Sequence, residues 1–355
     1  MMRRAAGSLL VVGLGGTELT ALERAWLKLV RPAGIILFRR NIKDAAQTRA
    51  LLSEATTFCS PHSLRCVDVE GGTVDRLRDA LAPMPSAQAV ARAGLAKQQG
   101  QLVGRAVKSF GLNTTLAPVL DLALPGSAKV MGTRAAATTP DAVVNYARGF
   151  IAGLAAEGIV GCGKHFPGLG GGTTDSHLET PEIARTSREI WLEDLEPYRT
   201  LRNELPMVMV NHAAYPKTPG GARPASVSPY WITNVLRKRV GYKGIVFSDD
   251  LEMGGILKYM PMEEAVVTAV RAGMDLMEIC HSPELILRAY EALIAEAERS
   301  KSFAAILTAR ARRTAALRVR LFSEGSNRAL TAKQYESLRE QIVRFGRKVA
   351  EVQPA

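Results

Sequence analysis

Residues 158–172 form the stretch GIVGCGKHFPGLGGG, in which a strand pattern is followed by residues with reactive side chains. The short apolar run Gly158–Cys162 is typical of a buried β-strand. Lys164 and His165 follow this run, and the glycines at positions 168, 170, 171 and 172 leave the next loop free to fold back over the strand end. The stretch therefore predicts a strand whose carboxyl end carries chemistry, as in a small-molecule active site.

Short β-type runs of this kind alternate with longer amphipathic segments along the whole chain. The eight predicted strands are Leu9–Val12, Gly34–Phe38, Leu64–Val67, Thr114–Ala117, Val160–Lys164, Met207–Asn211, Gly244–Ser248 and Asp275–Ile279. The helical patterns between them include Leu19–Val30, Asp44–Phe58, Ala87–Phe110, Pro140–Glu157, Arg188–Asn203, Pro229–Val240 and Met262–Ala272.

Eight strand–helix alternations imply a parallel sheet, and eight strands are the number that closes an α/β TIM barrel, (β/α)8. The competing architecture is an open, doubly wound sheet, which usually carries GxGxxG after its first strand. The segment Gly13–Glu18 lacks the third glycine of that motif. We therefore expect residues 1–355 to form a single barrel domain, with a helical extension at about residues 328–355.

The barrel hypothesis predicts that chemistry clusters where the strands end, because active sites of this fold lie at the carboxyl ends of the strands. Polar side chains follow the third to seventh predicted strands in this way: Asp68, Asp121, Lys164 with His165, His212, and Asp249 with Asp250. This agreement supports both the strand assignments and the choice of site residues.

Composition excludes several classes of function. The chain has a formal net charge of +12, but its basic residues are spread along helices, and no nucleic-acid-binding motif occurs. A small anionic substrate would suit this charge. The four cysteines have no CxxC spacing, so we predict buried thiols and no metal site.

The N-terminus resembles a signal peptide, because Arg3 and Arg4 precede the apolar run Leu9–Val12. The run is short, however, and no small-x-small cleavage site follows it, so we interpret it as the first strand. No run of about 18 apolar residues indicates a membrane span. We expect a cytoplasmic protein with no membrane partner, and a monomer.

Three motifs together resemble the glycoside hydrolase family 3 β-N-acetylglucosaminidases: Val67–Gly72 (VDVEGG), Lys164–Gly170 followed by Asp175-Ser176-His177, and Phe247–Leu251 (FSDDL). Residues 34–38 and 40–41 match an early segment of the same family. The resemblance extends from about residue 8 to residue 320. It is greatest to the single-domain cytoplasmic members that recycle cell-wall fragments.

The resemblance implies a catalytic role for three residues. Asp249 maps to the nucleophile, a carboxylate that attacks the anomeric carbon and stabilises an oxocarbenium-like transition state. In place of the usual second carboxyl group, the family implies an acid/base dyad of His177 and Asp175. An imidazole titrates near neutral pH, and a neighbouring carboxylate fixes its tautomer, so the pair can both donate and accept a proton.

Further residues are expected to hold the sugar. Asp68, Lys164 and His165 can form hydrogen bonds with ring hydroxyls, and Arg76 and Arg134 match family positions that contact the substrate. His212 and Asp250 are candidates for supporting groups behind these residues. We interpret His62 and His281, which belong to no motif, as structural.

The chain departs from the family pattern at several positions. Leu169 replaces a usual histidine, Val69 and Thr73 replace a usual glutamine and arginine, and an aspartate is missing near Val12-Gly13. None of these changes removes a catalytic group. They bear on the closed geometry of the loop and on recognition of the second sugar.

These observations predict an enzyme that hydrolyses terminal β-linked N-acetylglucosamine with retention, without metal or organic cofactor. By resemblance, its substrate is a small amino sugar or muropeptide, GlcNAc-anhydro-MurNAc and its peptides. One alternative is a β-N-acetylglucosaminide phosphorylase that uses the same residues, because a histidine acid/base does not repel phosphate. An alternative of another class is a non-catalytic amino-sugar binding protein, suggested by Leu169 and the altered first segment.

Overall fold

The computed structural model describes residues 2–172, 179–322 and 329–352. Eight parallel strands close into one barrel, in which each strand pairs with the next along the chain and the last pairs with the first. They are β1 (Leu10–Gly13), β2 (Gly34–Leu37), β3 (Leu64–Val67), β4 (Thr114–Thr115), β5 (Val160–Phe166), β6 (Met207–Val210), β7 (Ile245–Asp250) and β8 (Leu276–Ile279). The predicted (β/α)8 architecture and all eight strands are confirmed.

Helices surround the barrel. The α-helices are Met2–Gly7, Ala21–Val30, Ala45–Thr56, Ala87–Ala93, Ala96–Ser109, Pro140–Ala156, Ser187–Glu189, Glu196–Thr200, Gly254–Leu257, Met262–Ala272, Pro283–Arg299, Lys301–Leu321 and Ala332–Glu351. Ile190–Asp194 and Tyr230–Arg239 are π-helical. Single 3₁₀ turns occupy Arg39–Asn41, Pro125–Ser127, Gly132–Arg134 and Ala225–Val227.

The barrel separates two apolar layers, because successive side chains of a strand point to opposite faces. In β6, Met207 and Met209 belong to the cluster inside the barrel, whereas Val208 and Val210 belong to the layer between the strands and the helices. The inner cluster takes residues from every strand except β4, which is extended by the inner residue Leu116. A packed interior of this kind leaves room for a ligand only at the mouth of the barrel.

Two of the predicted helices are divided in the structure, although their apolar pattern continues. The predicted helix Ala87–Phe110 divides in two at Gly94, which ends the first part with a φ of 68°. Such a left-handed conformation favours glycine at a helix end. The predicted helix Arg188–Asn203 divides into three short turns. A two-stranded hairpin, Val69–Gly71 with Val74–Asp75, follows β3 and was not predicted.

After the barrel, the described chain forms the helix Ala332–Glu351. Its apolar stripe of Leu338, Ile342, Phe345 and Val349 is buried, and it contacts the helices Ala87–Ala93 and Ala96–Ser109. Within the described residues, no helix is both long and apolar enough to cross a membrane.

A buried aspartate connects the amino ends of two strands to two outer helices, Tyr230–Arg239 and Lys301–Leu321. Asp275, fully buried before β8, accepts a hydrogen bond from the Val246 backbone amide of β7 at 3.0 Å. Arg237 also donates to it. Arg313 and Arg310 lie 3.3 and 3.6 Å from its Oδ1. Because one carboxylate compensates three cations here, its removal would leave several charges without a partner.

We expect Asp275→Ala to lower the free energy of unfolding by about 3–5 kcal/mol, the usual effect of removing one partner of a buried ion pair. Urea unfolding followed by circular dichroism measures this change. The control is Asp79→Ala, because the Asp79 side chain is 72% exposed in its pair with Arg39; here the loss should stay below about 1 kcal/mol. Equal effects of the two variants would contradict the anchoring role of Asp275.

Candidate active site

A cavity of about 350 Å³ opens at the carboxyl ends of the strands. This volume lies within the range of about 300–1,000 Å³ that is usual for small-molecule sites. Its polar lining is Asp68, Glu70, Arg76, Lys129, Arg134, Lys164, His165, Asp249 and Glu278. The structure thus brings six of the predicted residues into one cavity, namely Asp68, Arg76, Arg134, Lys164, His165 and Asp249.

Lys164 occupies the centre of the charged side of the cavity. Its Nζ lies 2.9 Å from Asp68 Oδ1 and 2.6 Å from Glu70 Oε1, and its side chain is 4% exposed. Asp68 directly follows β3, and the hairpin after it carries Glu70 back over the end of β5. Burial alone would lower the pKa of Lys164, but the two carboxylates raise it above its ordinary value. The lysine is therefore held as a cation.

Arg134 and Arg76 extend this charged side. Arg134 binds Glu70 with two parallel hydrogen bonds, of 2.8 and 2.9 Å, a geometry that fixes both side chains. Burial would raise the pKa of Glu70, but Arg134 and Lys164 hold it well below its ordinary value. Arg76 Nη2 lies 3.7 Å from Asp68 Oδ2. The result is a rigid array of donors and acceptors on one wall.

His165 is oriented by Asp121. Its Nδ1 donates to Asp121 Oδ2 at 2.6 Å, because a carboxylate can only accept. Its Nε2 faces the cavity, 3.4 Å from Arg134 Nη2. The peptide bond between Lys164 and His165 is cis, and the two consecutive side chains line the same cavity. Asn211 Nδ2 donates to the His165 carbonyl oxygen at 2.9 Å.

Asp249 lies across the cavity from this wall, near the end of β7. Its Oδ1 accepts a hydrogen bond from the Asp250 backbone amide at 3.0 Å. Burial alone would raise the pKa of Asp249, but His165, His212 and Lys164 lower it below its ordinary value. The carboxylate is thus ionised at neutral pH, as a nucleophile must be.

His212 and Asp250 lie behind the cavity wall. His212 Nε2 donates to the Asp250 carbonyl oxygen at 2.9 Å, and its Nδ1 lies 2.7 Å from Ser226 Oγ. Burial raises the pKa of the Asp250 carboxyl to about 7, in contrast with its neighbour Asp249. Neither side chain belongs to the cavity lining, so both can act only through other residues.

Asp175 and His177 lie outside the described residues. The described chain on either side reaches the mouth of the barrel. The Leu169 amide donates to Asp121 Oδ1 at 2.6 Å, and Leu169 lines the cavity. On the other side, the Thr180 hydroxyl donates to the Gly255 carbonyl oxygen, shortly after β7, at 2.7 Å. Both ends of the segment therefore lie at the face that carries Asp249.

The histidines outside the motifs have contacts of their own. His62 Nδ1 lies 3.2 Å from the Phe322 carbonyl oxygen. Ligand atoms of Asp250, Glu252 and His281 lie within 4.8 Å of one another, which are donor types that suit a divalent cation. However, Arg40 Nη1 donates to His281 Nδ1 at 2.9 Å, and its positive charge opposes binding of a cation there.

Sequence reasoning assigned no role to Glu70 and Glu278, and it placed Asp121 at a strand end without assigning it a contact. Glu70 and Asp121 hold the residues it did select, and Glu278 lines the cavity from the last strand. The signals were present. Glu70 lies inside the VDVEGG motif, Asp121 follows a strand, and Glu278 interrupts the apolar run of β8.

Residues 1–317 match the glycosyl hydrolase family 3 N-terminal domain. The β-hexosaminidase of Alkalilimnicola ehrlichii is 38% identical over 287 residues, which are 78% of this chain and 82% of that protein. The β-hexosaminidase of Pseudomonas aeruginosa PAO1 is 38% identical over 291 residues, 80% of this chain and 86% of that protein.

Two solved structures are similar over most of the chain. A glycoside hydrolase family 3 β-N-acetylglucosaminidase from Paenibacillus sp. str. FPU-7 has a TM-score of 0.85 and 29% identity, over 96% of this chain and 68% of that one. Native NagZ from Neisseria gonorrhoeae has a TM-score of 0.75 and 26% identity, over 98% of both chains.

The ion pairs of Glu70 with Lys164 and Arg134 should make the free energy of unfolding depend on pH. The folded pKa of Glu70 is depressed, so its contribution is complete above its ordinary pKa of about 4.3 and falls as the pH drops toward the folded value. We expect Glu70→Gln to lower the free energy of unfolding by about 3 kcal/mol at pH 7. The difference from the wild type should shrink on acidification, as measured by urea unfolding across pH.

The matched control is Glu54→Gln, because Glu54 pairs with Arg24 at 2.6 Å with its side chain 42% exposed. This exposed pair should contribute less than about 1 kcal/mol at any pH. A difference between wild type and Glu70→Gln that does not change with pH would contradict the ionic role of Glu70.

Proposed function

Since the chain belongs to glycosyl hydrolase family 3, as its motifs predicted, we propose that it is a β-N-acetylhexosaminidase that removes a terminal β-linked N-acetylglucosamine with retention of configuration. The observation that carries this proposal is the placement of Asp249. Its ionised carboxylate faces, across one cavity, a wall of side chains that can bind sugar hydroxyls. Matching relatives at 38% identity are named β-hexosaminidases.

In the proposed first step, an Asp249 oxygen attacks the anomeric carbon while the bond to the leaving oxygen breaks. The proton that this oxygen needs comes from His177, which forms the acid/base dyad with Asp175 that the family resemblance implies. The cations Lys164 and Arg134 and the imidazole of His165 bind hydroxyls on the opposite wall. These contacts hold the anomeric carbon over the nucleophile.

In the second step, His177 takes a proton from water as the water oxygen attacks the same carbon. The bond to Asp249 breaks, and its carboxylate is restored. The configuration is retained because two displacements occur in succession. The mechanism requires no metal or organic cofactor, since the acid, the base and the nucleophile are all side chains.

We propose that the natural substrate is a peptidoglycan fragment, GlcNAc-anhydro-MurNAc or its peptides. The muramic acid and its peptide carry carboxylates, and the cavity lining includes the cations Arg76 and Lys129. Lys129 is exposed, so it can meet a charged group beyond the first sugar. The four cysteines are free thiols, which fits the reducing cytoplasm that we propose for this reaction.

We expect Asp249→Asn to reduce turnover of p-nitrophenyl N-acetyl-β-glucosaminide by about three orders of magnitude or more, because an amide cannot form the glycosyl ester. Thermal unfolding should show a folded protein. Asp79→Asn, which changes an exposed aspartate that does not line the cavity, should keep wild-type turnover. Near-normal activity of Asp249→Asn would exclude Asp249 as the nucleophile.

The chemical identity of the product shows whether water or phosphate accepts the sugar. With the same substrate in phosphate buffer, we expect free N-acetylglucosamine by mass spectrometry, because water is the proposed acceptor. N-acetylglucosamine 1-phosphate would instead establish a phosphorylase that uses the same residues. Sugar binding without release of nitrophenol would show a binding protein and contradict the catalytic proposal.

A further inference from the structure

Glu278 is a buried carboxyl group that the mechanism above does not use. It lies in β8, whose four residues are all buried. Glu278 itself is 4% exposed. Its side chain lines the same cavity as Asp249 and Asp68. A glutamate inside a barrel strand is costly, because its polar atoms leave water for an apolar interior.

The contacts of Glu278 leave one of its two oxygens without a hydrogen-bond partner among the described residues. Oε1 accepts a hydrogen bond from Cys280 Sγ at 2.9 Å. Among the described residues, none donates to Oε2, which is buried. A buried oxygen without a partner destabilises a protein relative to an apolar side chain of the same shape. Its presence in the cavity lining is explained if a bound molecule supplies the partner.

The charges around Glu278 determine its protonation state. Burial raises the pKa of Glu278 well above its ordinary value, and Asp250, Asp68 and Asp249 raise it further. The hydrogen bond from Cys280 opposes this shift but does not reverse it. This shift favours the protonated carboxyl group, which has one O–H donor in addition to its acceptors.

The opposite wall is arranged differently, because its charged groups already bind one another. Lys164 binds Asp68 and Glu70, and Arg134 binds Glu70 through two hydrogen bonds. Glu278 has no such partner at Oε2. It therefore presents a neutral donor on the β8 side of the cavity, close along the barrel to the nucleophile on β7.

On the basis of the proposed function, we propose that Glu278 is a substrate-binding residue whose Oε2 hydroxyl donates a hydrogen bond to a hydroxyl group of the sugar that Asp249 attacks. This contact would seat the sugar ring between the ionic wall and β8. It would also satisfy the buried oxygen only when substrate is bound.

The test compares Glu278→Gln and Glu278→Met with the wild type. A glutamine keeps a donor at this position, so KM for p-nitrophenyl N-acetyl-β-glucosaminide should stay within about threefold of the wild type. Methionine removes the donor, and KM should rise about tenfold, the usual effect of losing one hydrogen bond. The melting temperature of Glu278→Met should rise, because an apolar side chain replaces an unsatisfied buried acid. Loss of binding together with a gain in stability is not expected of a merely structural residue.

A matched control lies at the other end of the same strand. Asp275→Asn also changes a buried carboxyl group, but one outside the cavity lining that forms ion pairs with three arginines. It should lower the melting temperature and leave KM unchanged. The two variants should thus shift the melting temperature in opposite directions, and only Glu278→Met should change KM.

Deoxy analogues of the substrate that lack the hydroxyl at C3, C4 or C6 identify the contact. The penalty of Glu278→Met should disappear with one analogue and persist with the other two. A KM for Glu278→Met equal to that of the wild type would overturn the proposal. So would a wild-type preference for the free-amine glucosaminide that Glu278→Met loses, since this would indicate an ionised carboxylate that binds a cation.

A failure of the proposed role of Glu278 can be distinguished from a failure of the hydrolase proposal. If the wild type releases no nitrophenol, the hydrolase proposal fails, and the role of Glu278 is then read from calorimetric binding of N-acetylglucosamine to the same variants. Tenfold weaker binding to Glu278→Met supports the contact, and equal binding refutes it. If the wild type is active, KM decides the role of Glu278 alone.

Discussion

Burial of one ammonium group at the mouth of the barrel governs the arrangement around it. Lys164 is nearly inaccessible to solvent, and a buried cation without partners would lose its proton or destabilise the fold. Two carboxylates from the segment after β3 compensate it. One of them, Glu70, then requires a second cation, which Arg134 supplies from the loop after β4. The wall that faces the sugar is thus fixed by charge compensation between three strand ends.

Carboxyl groups at the same mouth have pKa values shifted in opposite directions because their neighbours differ. Asp249 faces cations and imidazoles, which keep it ionised despite burial. Asp250 and Glu278 lie among other acids and apolar atoms, so their pKa values rise. Such separation of pKa values between neighbouring acids is how a single site obtains both an anionic nucleophile and neutral donors. Because the pKa values of Asp250 and Glu278 are raised, these two acids add less negative charge beside Asp249.

The sequence was sufficient for the barrel and for most of the cavity wall. Strand periodicity and the position of polar residues after each strand follow from local chemistry, so β1 to β8 and residues such as Lys164 and Asp249 could be predicted. Glu278 was not selected, although it interrupts the apolar run of β8, because an acid in such a run can be assigned to a cavity only when the cavity is known. The hairpin that carries Glu70 was also missed. Its strands of three and two residues are too short to show an alternation of apolar and polar side chains. The contact of Glu70 with Lys164, which the hairpin makes possible, is a tertiary contact that the local sequence does not reveal.

The residues of the site differ in how firmly the fold holds them: some lie on paired strands, and others lie on a loop. Asp249 lies near the end of a strand that is paired on both sides, which suits a nucleophile that must keep its position. The glycine-rich segment that leads to His177 begins at Leu169, whose amide binds Asp121 Oδ1, while Asp121 Oδ2 binds His165. One buried carboxylate therefore orients a residue of the sugar-binding wall and fixes the start of the loop. A sugar bound to His165 would therefore act, through Asp121, on Leu169, the residue at which this segment begins.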